Sequence, residues 1–218
     1  MYTQCIENKA DIAICGRYFV EENGNIIDIT PKIKKVMDRE EVLKELFDEK
    51  YIFAALWDKM FKSDIAKKHT FNVNKKVGED YDYLYRVILE SNIISVDTND
   101  TLYYYVKRNG SVMNSRFNIQ EYKEEIKLCE NIIEYVKEKY PNIYLYAIKR
   151  CTRVMRNTIK KAILEDDKES VKLLQQKGKK YGLKLYSKWP IKEKVKIFII
   201  FKCTFLWKKM YQLKKKIR

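Results

Sequence analysis

Histidine is almost absent from this chain. His69 is the single one in 218 residues, and the five cysteines (Cys5, Cys15, Cys129, Cys151, Cys203) are widely spaced with no CxxC pair. That combination excludes an ordinary structural zinc set and reads instead as reduced thiols of a cytosolic protein. Glycine (6) and proline (3) are also scarce, so tight turns are few and long helices are expected. Long apolar runs are missing too. The best one, Ile197 to Trp207, has 11 residues with Lys202 inside it, too short to span a bilayer. The opening "MYTQCIENKADIAICG" has an acid at position 7 and no apolar core, which argues against a signal peptide. Acidic residues nearly vanish at the other end. From Lys188 to Arg218 there are 11 Lys or Arg against Glu193 alone, so this segment carries +10 of the net +15.

What is present is enough apolar sequence (46%) for a packed core. Residues 1–9 read as the end of a helix. The nearly all-apolar Ala10–Gly16 reads as a strand buried on both faces, followed by a turn at Asn23-Gly24-Asn25 and a short strand. Asp38 is placed to cap a helix whose Val42, Leu43, Leu46 and Phe47 share one face. "IFAALWDKMFKSDIAKKH" joins an apolar run to a second short helix. Asp80 begins another, with Leu84, Val87 and Ile88 inward, and "NIISVDTNDTLYYYVKR" reads as two strands around Asp97–Asp100. This alternation predicts an α/β class over residues 1–117. Residues 118–218 then read as helices over 118–140, 143–165, 167–180 and 191–217, with Pro141 and Pro190 at boundaries.

Glu79 and Asp80 stand at the junction between a Lys-rich loop and a helix. Acids in a first turn are favoured by the helix dipole, by about 0.3–1 kcal/mol each. A carboxylate there is also positioned to act as a general base toward an incoming hydroxyl. Spacing alone does not choose between these readings.

The order of motifs adds context: "ADIAICG", a hairpin, "LWDKMFKSDI", "VGEDYDYLYRVILES", then "LYYYVKRNGSVMNS". This resembles the C-terminal portion of family 2 glycosyltransferases of the GT-A fold, of the bacterial surface-polysaccharide type. Trp57, Lys59, Lys62, Glu79, Asp80, Tyr104, Tyr105, Arg108, Ser111 and Met113 carry the likeness. It implies a Rossmann-like glycosyltransferase domain over 1–117, followed by a helical region over 118–218. It also implies an inverting transfer from a nucleotide-sugar donor to a saccharide or lipid-linked acceptor. Asp80 would be the base, with Glu79 orienting it or touching the acceptor. Trp57 would stack on a sugar face or belong to the core. Lys59, Arg108 and Ser111 would lie near the donor diphosphate or the loop that closes over it, and Lys62 would be a further substrate-binding residue, although Lys107 and Arg108 also fit a solvated strand end.

The departures shape the expectation. Asp58 stands where the family has Asn, adding a negative charge near the site, and Val106 stands where it has Arg. The family's opening strand, its "DGSTD"-like turn and its Asp-x-Asp motif have no counterpart, since Asp80-Tyr81-Asp82 lies in a helix start. The divalent cation (Mn or Mg) expected of the complete enzyme therefore has no ligands in this chain. The expectation is of a chain inactive alone, with an open sheet edge: a truncated product, half of a split enzyme with a complementing N-terminal chain, or a misplaced start. The rival is a non-catalytic membrane-surface or interaction module derived from such an enzyme.

The basic tail has apolar positions at rough helical spacing among Lys208, Lys209, Lys214, Lys215 and Lys216, with Trp207 beside them. It fits an anionic membrane surface at the inner face of the cell membrane. A packed helix with a solvated basic face remains open as an alternative. Charge alone leaves nucleic acid open too, but no nucleic-acid motif appears, so the reading is of no nucleic-acid partner.

Overall fold

A computed structural model of the protein describes residues 1–107, 117–185 and 191–209, apart from the side chains of 182–185, 192, 193 and 196. The chain divides into two compact units, Met1–Arg116 and Phe117–Arg218.

The first unit is α/β. Helix α1 (Tyr2–Asn8) leads into β1 (Ile12–Glu21), which returns through β2 (Ile26–Ile29). Strand β3 (Lys34–Met37) and helix α2 (Arg39–Asp48) follow, then β4 (Lys59–Phe61), α3 (Ser63–Ala66), α4 (Glu79–Glu90) and β5 (Ile94–Lys107). The sheet runs β2-β1-β5-β3, with β4 also on β1. It is mixed: β1 and β5 are parallel, and every other pairing is antiparallel. Ile12, Ala13, Ile14 and Cys15 are all buried, as an apolar run in a central strand requires. Val42, Leu43, Leu46 and Phe47 of α2 and Leu84, Val87 and Ile88 of α4 are buried, and the two helices lie against each other.

Helix α2 starts at a full capping box. The Asp38 side chain accepts from Glu41 N at 2.9 Å, and Glu41 reaches back to Asp38 N at 3.3 Å. Asp38→Ala is expected to cost about 1 kcal/mol in urea unfolding.

One expectation is corrected. "NIISVDTNDTLYYYVKR" is not two strands about a turn but one strand, β5, running parallel to β1 throughout. Cys15 pairs with Asp97 and Gly16 with Thr101, so Thr98, Asn99 and Asp100 bulge out opposite a single step of β1. A second shift, at Leu102, follows at once, because Arg17 pairs with Tyr103. The three-residue bulge flips the sidedness of β5 and the extra Leu102 restores it. Ile94, Val96, Tyr104 and Val106 therefore keep one face, and Tyr103 and Tyr105 the other. Strand β3 covers β5 only over Ile94–Asp97; among the described residues, 101–107 pair with β1 alone.

The second unit is helical: α5 (Ile119–Lys139), a 3-10 turn (Pro141–Ile143), α6 (Tyr144–Leu164), α7 (Lys168–Leu185) and α8 (Ile191–Lys202). Ile126, Cys129, Ile133 and Val136 of α5 pack with Ile148, Cys151, Met155 and Ile159 of α6. A buried Arg150–Glu125 ion pair at 3.2 Å joins the same two helices. Lys177 of α7 reaches Glu130 of α5 at 2.9 Å. The single helix expected over 191–217 is broken at Cys203. Helical structure resumes over 204–209, and later residues lie outside those described.

Candidate functional site

The carboxyl ends of parallel strands are where open α/β sheets place ligands. Here the outer halves of β1 and β5 present Arg17, Phe19, Tyr103 and Tyr105 on one face. The segment before β4 folds over them. Trp57 stacks on Tyr103 with ring centroids 4.2 Å apart and on Tyr105 at 5.2 Å. The half-buried indole thus already lies against protein rings.

At the floor is a buried ionic triad. Asp58 Oδ2 accepts from Arg17 Nη1 at 2.8 Å, and Asp58 Oδ1 accepts from Lys59 Nζ at 2.6 Å. All three residues are buried. The Arg17 guanidinium also lies 3.9 Å from the Phe53 ring centroid and 5.1 Å from that of Trp57. Burial pushes both Arg17 and Lys59 below their ordinary basicity, and Asp58 opposes the shift in each. The Asp58 charge, which the sequence adds near the site, is therefore matched by two cations.

Lys59 has its three N–H donors engaged by Asp58, Phe53 O (2.9 Å) and Ala55 O (2.6 Å). It clamps the 53–59 segment and acts on its surroundings through charge. Asp80 lies within its field. Burial raises the Asp80 carboxyl above its ordinary range, the Glu79 charge adds to this, and the Lys59 ammonium opposes it.

Asp80 is held by the way its loop closes. Asn72 Oδ1 accepts from Asn74 N at 3.0 Å, and Phe71 stacks on Tyr83 at 4.5 Å. Gly78 then turns the chain into α4 at φ 75°, a left-handed conformation that favours glycine. Among the described residues no side chain caps this helix start, and Glu79, Asp80 and Asp82 are the anions its first turn presents.

Trp57 and Lys59 belong to this region, and Asp80, with Glu79 beside it, is linked to it through the Lys59 charge. Lys62 does not join them. It follows the far end of β4, where its half-exposed ammonium pairs with Asp11 (3.8 Å) and Asp64 (3.6 Å). Arg108 and Ser111 lie outside the described residues, as do Met113 and Lys214–Lys216. Trp207, Lys208 and Lys209 lie in the 204–209 helical segment of the second unit, with Lys208 paired to Asp166. Sequence reasoning missed Arg17, Phe53 and Tyr103. The available signal was a lone cation, Arg17, directly after an apolar strand, with an unpartnered Asp58 to match it.

Among the described residues no group of three or more His, Cys, Asp or Glu is placed to hold a metal ion, and no helix is long and apolar enough to cross a membrane. No protein-family model matches the chain, and no curated protein matches it.

Proposed function

We propose that Met1–Arg116 is the acceptor side of a GT-A glycosyltransferase of the inverting, family 2 type, with Asp80 as general base. The observation that carries this reading is a half-buried carboxyl at a helix start, raised above its ordinary range and electrostatically linked to Lys59. A base poised nearer to neutrality than a free aspartate is what deprotonation of a sugar hydroxyl asks for. Attack of that hydroxyl on the donor's anomeric carbon would release the nucleotide. Trp57, Tyr103 and Tyr105 supply the aromatic surface against which a sugar ring packs. The residues that hold the nucleotide and a divalent cation would come from outside these 218 residues.

The test is transfer in an assembly that contains the donor-binding half. Asp80→Asn should lower it about 10²–10⁴-fold with the fold kept. Unchanged transfer would sink the assignment and leave the non-catalytic module.

A second outcome needs only the chain itself. Because the folded carboxyl binds its proton more tightly than the unfolded one, ionised Asp80 opposes folding at neutral pH. That opposition disappears as the pH falls below the ordinary aspartate range. Asp80→Asn should therefore raise the urea midpoint at neutral pH, and its advantage should vanish in acid.

A further inference from the structure

Helix α8 has two apolar faces. One is buried: Ile197, Ile200 and Phe201 pack into the second unit, where α8 lies against α6 and α7. The Phe201 ring sits so close to Gly178 that a Cβ there would stand 1.9 Å from the ring Cε1. The other face points to solvent. Ile191 (80% exposed), Val195 (51%) and Phe198 (53%) recur at i, i+4 and i+7, and Phe205 (70%) and Leu206 (47%) extend the patch beyond the break at Cys203. Lys202 is exposed in line with this stripe, and exposed Lys209 has its Nζ 4.8 Å from the Phe205 ring centroid.

A solvent-facing row of large apolar side chains is costly unless something covers it. Charge selects the occupant, since the segment from Lys188 to Arg218 carries +10. We propose that the outward face of α8 and the 204–209 segment form a preformed docking surface for an anionic lipid bilayer. Ile191, Val195, Phe198 and Phe205 enter the headgroup boundary, and the lysines meet lipid phosphates. Lys202 reaches the headgroups along its own methylene stem, which is how a lysine is accommodated within an apolar stripe. The inner face holds the helix to its unit, so docking needs no coupled folding. This inference is independent of the transferase reading.

The test is co-sedimentation of the intact chain with phosphatidylcholine vesicles, with and without phosphatidylglycerol. Binding should require the anionic lipid, weaken with salt, and leave the far-ultraviolet circular dichroism unchanged. Phe198→Glu and Phe205→Glu alter exposed side chains and should each weaken binding at least about tenfold. Val73→Glu, at a 91% exposed position in the other unit, should not. Binding that is equal on neutral vesicles, or insensitive to both Phe variants, would overturn the proposal. So would a dimer that Phe198→Glu dissociates, or tighter capture of duplex DNA that both Phe variants leave intact. A rise in helicity on binding would overturn the preformed face.

Discussion

Asp58→Ala should destabilise the protein by about 3–5 kcal/mol, the cost typical of breaking a buried ion pair from one side. Arg17→Met should cost less. The reason is the stoichiometry of the triad: one carboxylate lies between two cations, with Arg17 at 2.8 Å and Lys59 at 2.6 Å. Removing Arg17 loses one charge-assisted bond, worth about 1.5–3 kcal/mol, yet Asp58 keeps Lys59 as its partner. Removing Asp58 leaves two buried cations facing each other with no anion between them, and only the weaker fields of Glu49 and Asp28 still act on Arg17. The Lys59 side chain is 0% exposed and that of Arg17 3%, so water cannot take over as the counter-partner. Urea unfolding of the intact chain orders the two variants. If Arg17→Met proved the more damaging, the guanidinium would be acting chiefly through its packing on Phe53, and the charge argument would fail. Lost screening by Lys59 also links the triad to Asp80. Lys59→Met should raise the Asp80 carboxyl further, a shift that carbon-detected NMR titration of the side chain reads directly.

Helix positions were legible in the sequence wherever one residue type has one local job. Asp38 marked the cap of α2, and the spacing of Val42, Leu43, Leu46 and Phe47 marked its buried face. Gly78 followed by Glu79 and Asp80 marked the start of α4. The site was legible only in part, because its contacts are non-local. Arg17 and Asp58 are 41 residues apart, and Trp57, in the segment before β4, meets Tyr103 of β5. Residue type showed that Asp58 was unusual, but only topology shows which cation answers it. The same limit explains β5. Asp97-Thr98-Asn99-Asp100 has turn chemistry, and a local reading makes it a turn. The pairing of both flanks with β1 turns it into a bulge instead, because tertiary pairing overrides local preference.

That bulge leads to the second large effect: Gly16→Val should cost about 3 kcal/mol, at the upper end of overpacking. A Cβ at residue 16 would stand 2.6 Å from Thr98 O and 2.9 Å from Thr101 Oγ1. The threonine side chain has some freedom, but the Thr98 carbonyl has little. Thr98 N donates to Ile33 O at 2.9 Å, and its hydroxyl donates to Pro31 O at 2.7 Å while accepting from Ile33 N at 2.8 Å. Three bonds thus tie the bulge to the 31–33 segment, which in turn leads into β3. A side chain at residue 16 must either break that stitch or push β5 away from β1. The second course would carry Tyr103 and Tyr105 off Trp57. The two effects are separable by experiment. If Thr98→Val, which removes the hydroxyl bonds and frees the carbonyl to move, lessens the additional loss from Gly16→Val, the clash with a stitched carbonyl is the cause. If the two losses simply add, the strain lies elsewhere in the β1–β5 pairing.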